Sequence, residues 1–227
     1  MVKTIQTGRP IDFSFIPSFK CNIRCWFCMY DCGPDNKIRL DYQKTVNFAK
    51  QIDWSLINTV GFYGGEPSIE MEFYDKFIAL VPEDTPRFVI TNGTWSTDIK
   101  KTINFLEWCI RSKFHVLVSG THEHVIHQDK KILKLVRDDY PDCIRLKEPD
   151  EIHAQGRAAG HKWVINDCNF TCQRTDRNMR LGLKPDGKII FQNCHGEYLV
   201  VQTYDDPFAG IYDRAHKLFS NCYLDKK

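Results

Sequence analysis

The chain has 227 residues, 42% of them apolar, which suits one sizeable domain or a domain with a small appendage. Its 31 basic and 29 acidic side chains nearly cancel, so composition makes no electrostatic case for a nucleic-acid groove. The opening MVKTIQTGRPIDF lacks the apolar run of a signal peptide, and no stretch approaches the length of a membrane span; the expected location is the cytoplasm, with no membrane partner.

The elements follow in order. IDFSFIP (Ile11 to Pro17) reads as a strand and runs into a cysteine-bearing loop. A helix from Asp41 carries Tyr42, Val46 and Ala49. TVGFYGG (Thr59 to Gly65) is the second strand, followed by a helix with Phe73, Phe77, Leu80 and Val81 on one face. RFVITNG (Arg87 to Gly93) is the third strand. The next helix is expected to be capped by Ser96 or Thr97, with Ile99, Ile103, Leu106 and Ile110 as its buried stripe. FHVLVSG (Phe114 to Gly120) is the fourth strand; a helix through Val125, Ile132, Leu133 and Val136 and a fifth strand, CIRLKE (Cys143 to Glu148), follow.

This alternation predicts βαβ units, a parallel sheet and an α/β fold. A full eightfold barrel takes about 250 residues. Here the alternation stops after five or six units, so the expected fold is a partial (β/α)6-type barrel with a small cysteine-bearing hairpin and helix cap. The expected division is residues 1–152 for the core and 153–227 for the extension. In the extension KIIFQ (Lys188 to Gln192) and YLVVQTY (Tyr198 to Tyr204) read as strands, PDG (Pro185 to Gly187) as a turn, and Phe208 to Phe219 as a last helix. Reactive groups of such folds belong at the carboxyl ends of strands. Cys21 to Cys28, Gly64 to Pro67, Asn92 to Gly93 and Ser119 to His124 all fall there.

Ten cysteines is a high number for a reducing compartment, where clustered thiols are metal ligands or catalytic groups more often than disulfides. CNIRCWFC places Cys21, Cys25 and Cys28 on one short loop. Three thiolates hold three corners of a cubane of four irons and four sulfides, which leaves the fourth iron open to an exchangeable ligand. The competing arrangement is a zinc site completed by Cys32, which would make the chain a non-catalytic zinc-binding interaction protein; that leaves GGEP (Gly64 to Pro67) without a role. Cys32 is therefore taken as non-ligating. Cys109 and Cys143 stand apart and are expected to pack as small apolar residues.

CxxxCxφC with an aromatic Phe27, followed one βα unit later by YGGEP (Tyr63 to Pro67) and then by TNG (Thr91 to Gly93), resembles the radical S-adenosylmethionine (SAM) superfamily over roughly the first 150 residues. The resemblance implies a [4Fe-4S] cluster on Cys21, Cys25 and Cys28, with SAM on its open iron. It implies contacts from Gly64, Gly65, Glu66 and Pro67 to the methionyl amino group, from Phe27 to adenine, from Ser119 near the ribose, and from Asn92. The implied chemistry is reductive cleavage of SAM to a 5′-deoxyadenosyl radical that takes a hydrogen atom from a substrate. An electron donor such as flavodoxin or ferredoxin is implied as partner.

Cys168, Cys172, Cys194 and Cys222 form a second group. With GRA (Gly156 to Ala158) and PDGKIIFQNC they resemble a shortened SPASM/Twitch extension, which implies an auxiliary iron-sulfur cluster; zinc and no metal are the alternatives. HEHVIH offers His122, His124 and His127 just past the fourth strand, one of them a candidate to face substrate, and Arg157 could grip a carboxylate or phosphate. The substrate is expected to be a small metabolite or nucleotide, or a peptide side chain. Only about ten residues precede the first strand, which tilts the expectation away from leader-guided peptide maturation.

Overall fold

The computed structural model describes residues 9–147, 156–158, 161, 179–191 and 200–220. Among these residues eight strands make one sheet: β1 (Ile11–Phe15), β2 (Ile57–Phe62), β3 (Arg87–Thr91), β4 (Phe114–Val118), β5 (Ile144–Leu146), β6 (Met179–Leu183), β7 (Lys188–Phe191) and β8 (Val200–Thr203). Their spatial order is β5-β4-β3-β2-β1-β6-β7-β8. All contacts from β5 across to β6 are parallel, and β6–β7 and β7–β8 are antiparallel. β5 and β8 are free edges, so the sheet is open: the α/β partial barrel that the alternation predicts, continued by an antiparallel hairpin.

Among the described residues six helices accompany the sheet: α1 (Tyr42–Ala49), α2 (Met71–Ile78), α3 (Ile99–Arg111), α4 (His122–Val125), α5 (Lys130–Asp139) and α6 (Ile211–Ser220). Parallel strands buried on both faces need near-continuous apolar runs, and β1 and β2 have them: Phe13, Phe15, Val60 and Phe62 are fully buried. Aromatic rings knit neighbouring elements together. Phe15 stacks on Phe62 at 5.7 Å, Trp95 on Phe105 at 4.8 Å, and Trp108 meets Phe114 at 5.1 Å.

Several expectations are corrected. Ile99, Ile103 and Ile110 of α3 are 64%, 49% and 59% exposed; the face against the sheet carries Thr102, Phe105, Trp108 and Cys109. Two aromatic rings bury more surface than the isoleucines and their packing sets the helix's rotation. Asp98 caps α3 by accepting from the Lys101 N–H at 3.0 Å, while Ser96 and Thr97 belong to a preceding 3-10 turn, Thr94–Thr97. The single helix expected through Val125 and Val136 is two, because Asp129 accepts from the Lys131 and Ile132 N–H groups and starts α5 afresh. β6 is a strand that the sequence does not announce: MRLGL mixes a charge and a glycine, yet pairs in parallel with β1. Cys109 is buried, whereas Cys143 is exposed. On α1 the buried residues are Thr45, Phe48 and Ala49, and Tyr42 is exposed.

β6, β7 and β8 all come from beyond residue 152, so the sheet runs across that position. Among the described residues no helix is long and apolar enough to cross a membrane.

Candidate functional site: a three-thiol loop at the strand ends

The cysteine loop leaves the end of β1 and is pinned before it reaches its first thiol. Ser18 bridges Arg39, and Lys20 bridges Gly33. Beneath the loop lies a small core of its own, in which Ile16, Phe19, Tyr30 and Cys32 pack with Ile190 of β7. Phe19, Tyr30 and Tyr63 continue it as a run of rings about 6 Å apart, at 6.2 Å in each step.

The loop after β2 clasps this one backbone to backbone. Gly65 N–H donates to Ser18 O at 2.8 Å and Glu66 N–H to Lys20 O at 2.9 Å. A Cβ on Gly65 would stand 1.7 Å from the Lys20 carbonyl oxygen, so only glycine fits there. Gly64 has φ +134°, and a Cβ would meet Ile16 at 2.4 Å. The glycines thus serve the approach of one loop to the other.

Glu66 is 1% exposed. Its carboxylate accepts from Ser68 N–H at 3.1 Å, Thr91 O–H at 2.7 Å and Asn92 N–H at 2.8 Å, tying the end of β2 to the end of β3. Burial pushes its pKa up while these donors pull it back, and the net shift is upward. Pro67, buried, opens the 3-10 turn Pro67–Ile69. From β3, the Asn92 amide donates to Asn22 Oδ1 at 2.9 Å and to Cys21 Sγ at 3.7 Å. Gln128 then bridges β3 to β4, donating to Asn92 O at 2.7 Å and Ser119 O at 2.8 Å. Ser119 is half-buried, and its N–H donates to Thr91 O at 2.9 Å.

The three sulfurs lie within one another's electrostatic field. Cys21 is pushed up to about 12, by burial first and then by Glu66 and Cys28. Cys25 is likewise pushed up to about 12, by burial and then by Cys21 and Cys28. Cys28 is pulled down to about 6 by hydrogen bonding from Cys32, whose backbone N–H donates to Cys28 Sγ at 3.3 Å. Cys32 is raised, sits at 2% exposure, and donates through Sγ to Gly64 O at 3.0 Å. Its thiol is thus turned to the glycine loop.

Two side chains complete the surroundings. His124 Nε2 stands 3.3 Å from Cys25 Sγ, with Nδ1 2.8 Å from Thr121 Oγ1. Burial, with help from His127 and Lys147, lowers His124 to about 4, so the ring is neutral near pH 7. Phe27 packs edge-on to the same ring at 5.5 Å and is half-buried. Arg157 docks on the cysteine loop: its N–H donates to Cys28 O at 3.0 Å, Nη2 donates to Cys32 O at 2.7 Å, and Nη1 lies 3.1 Å from Asp31. Its positive charge lowers the pKa of Cys25, Cys28 and Cys32. A cleft of about 1310 Å³ opens from Ser119 and Gly120 along α5 and β5.

Among the described residues no three His, Cys, Asp or Glu side chains are placed to hold a single metal ion. The donors of a mononuclear zinc site converge on one point. Cluster thiolates each bind a different iron and need only face a common volume. Three free thiols on one pinned loop, in each other's field and beside one guanidinium, fit the cluster. Cys168, Cys172, Cys194 and Cys222 lie outside the described residues. Of the site's components, Gln128 and the pairing of His124 with Cys25 have no signal in the sequence, since both depend on how α4 and the turn after it fold back onto β3.

No curated protein sequence matches the chain. Native anSMEcpe with bound AdoMet shares 13% identity over 92% of this chain and 82% of its own, with a TM-score of 0.53. Native anSMEcpe with bound AdoMet and the Kp18Cys peptide gives 12%, 91%, 82% and 0.52. Streptococcus suis SuiB bound to S-adenosylmethionine gives 11% identity and a TM-score of 0.44; the alignment covers 90% of this chain but 65% of SuiB. At these identities the likeness to anSMEcpe is one of fold. The family model of the Radical SAM superfamily matches residues 15–110, a span that holds Cys21, Cys25 and Cys28, the GGEP loop and Asn92.

Proposed function

We propose that the chain is a radical SAM enzyme that holds a [4Fe-4S] cluster on Cys21, Cys25 and Cys28 and binds S-adenosylmethionine at the iron without a protein ligand. The observation that carries this reading is the clasp of the GGEP loop and Asn92 onto the three-thiol loop. When bound, the cluster supplies an electron that cleaves S-adenosylmethionine to a 5′-deoxyadenosyl radical, which takes a hydrogen atom from substrate.

The chain's own residues have separate tasks. Gly64, Gly65 and Pro67 hold the loop in a shape that offers backbone groups to the methionyl amine, and Glu66 fixes its position through Thr91 and Asn92. Phe27 and Ser119 are the proposed contacts for adenine and ribose, and Asn92 steadies Cys21 and Asn22. The Cys32 thiol, Tyr30 and Tyr63 line the back of the loop and exclude water from it. A small electron-transfer protein such as flavodoxin or ferredoxin would supply the electron.

The cleft beside Ser119 supports an anionic small metabolite or nucleotide as substrate. Lys130, Lys134, Arg137, Arg145 and Lys147 line it against Asp138 and Asp142. A peptide side chain is the second reading, favoured by the Kp18Cys peptide on a relative of the same fold. The later cysteines, Cys168, Cys172, Cys194 and Cys222, are proposed to hold an auxiliary iron-sulfur cluster or zinc.

Anaerobic reconstitution is expected to give a brown protein. After reduction, it should release 5′-deoxyadenosine from S-adenosylmethionine without added substrate, and Cys25→Ala should lower that release at least ~100-fold. A colourless, zinc-loaded protein, or a reconstituted and reduced one that releases nothing, overturns the proposal. Iron that remains after Cys21, Cys25 and Cys28 are all replaced by alanine would locate a second cluster.

A further inference from the structure

The misplaced stripe of α3 has a property that solvent exposure alone does not explain. Ile99, Ile103, Leu106 and Ile110 recur at steps of four, three and four, the spacing of a coiled-coil seam. All three isoleucines are about half or more exposed, and Leu106 is half-buried. They lie on one flank of a helix whose other flank is fully occupied by Phe105 and Trp108. On α5, by contrast, a single large apolar side chain, Leu135, is exposed among Lys130, Lys131, Lys134 and Asp138. A continuous apolar seam on an exposed helix marks a contact surface.

The pattern of the stripe also says what covers it. Read from either end it is the same: isoleucine, then a branched apolar pair, then isoleucine. Laid antiparallel on a copy of itself, Ile99 faces Ile110 of the second copy and Ile103 faces Leu106 of the second copy. The flanking charges obey the same symmetry. Lys100 and Glu107, both exposed, border the stripe seven residues apart. Antiparallel pairing brings Lys100 of each copy toward Glu107 of the other, twice. Parallel pairing would put the two copies' Lys100–Glu107 flanks on opposite sides of the seam, where neither charge meets an opposite one. A surface complementary to itself about a two-fold axis is the requirement for an isologous dimer.

We propose that α3 is a homodimer interface, in which two copies pair antiparallel through Ile99, Ile103, Leu106 and Ile110, with Lys100 and Glu107 setting the direction. One helix of 13 residues supplies only part of the roughly 1,200–2,000 Å² that a stable interface buries. The dimer is therefore a weak one, formed in the micromolar range.

Sedimentation velocity on the wild-type chain from about 1 to about 200 µM tests it, a range set by that weak affinity. The expected result is a concentration-dependent shift from one copy to two. Ile103→Glu puts a charge in the seam and should leave the chain monomeric throughout, with its circular dichroism unchanged because Ile103 faces solvent. Lys100→Glu should weaken the dimer several-fold, and Lys100→Glu combined with Glu107→Lys should restore it. A wild-type chain that stays monomeric to the highest concentration overturns the proposal. So does a dimer that Ile103→Glu leaves intact, or a double charge reversal no better than the single one.

Discussion

A thiolate that binds iron keeps lone pairs, and the hydrogen bonds it accepts adjust how readily the cluster takes an electron. In the proposed cluster the donor to Cys25 would be His124. Thr121 O–H donating to Nδ1 leaves Nε2–H to donate to the sulfur 3.3 Å away, an arrangement that satisfies both ring nitrogens. A donor favours the more negative, reduced cluster, so its removal makes reduction harder. His124→Ala is expected to lower the midpoint potential of the reconstituted protein in a titration followed by electron paramagnetic resonance. His124→Gln, which keeps an N–H, should fall between the two. An alanine variant with the wild-type potential would show that the ring has no bearing on the sulfur. Glu66 shows the complementary case: three donors use its carboxylate, so it acts as a brace between β2 and β3. Motif recognition singles out Glu66 but not His124 from its neighbours, because one belongs to a covalent tetrapeptide and the other is one of three similar histidines on and just after a four-residue helix.

One helix cap and two other partnered carboxylates carry the pH dependence that is expected at the scale of elements. Asp98 accepts from the Lys101 N–H at the start of α3, and that hydrogen bond holds its carboxyl below the ordinary 3.8. Asp206 behaves alike under the Thr203 N–H, as does Asp138 beside Lys134 and Arg137. A depressed carboxylate contributes to folding above its unfolded value and loses that contribution as pH falls through the folded one. The urea midpoint is therefore expected to drop below about pH 4. Asp98→Asn still caps the helix but does not titrate, so its midpoint should fall less steeply across the same window when followed by circular dichroism. Equal slopes for the two proteins would mean that the cap charge is not linked to folding. The same helix shows what a period cannot say. A 3.6-residue repeat fits Ile99–Ile103–Leu106–Ile110 and Thr102–Phe105–Trp108–Cys109 alike, and only competition for the core chooses between them. Trp95 and Phe114 close around Phe105 and Trp108, and the isoleucines turn outward.

Across the whole molecule β1 is the strand on which the rest depends. It carries the cysteine loop and is hydrogen-bonded on both sides, to β2 and to β6. β6 lies more than 150 residues away in sequence, and β7 follows it to place Ile190 beneath the cysteine loop. A chain ending at residue 178 would open one edge of β1 and uncover Phe13 and Phe15, now fully buried. It is expected to be insoluble or to unfold without a cooperative transition in urea, where the full chain shows one. A truncated chain with full cooperativity would show that the first part folds unaided.

By itself the sequence determined the features whose information is local. The spacing of Cys21, Cys25 and Cys28, the GGEP tetrapeptide and the strand–helix alternation are covalent or short-range periodic facts, readable along the chain. They suffice to place the reactive loop at the carboxyl end of β1. Tertiary structure alone decided which face of α3 is buried, that MRLGL completes the sheet, that Arg157 docks on the cysteine loop, and that His124 and Gln128 join the site. Each of these depends on surfaces from distant segments competing for the same burial, and burial is a property of the assembled core that no single segment encodes.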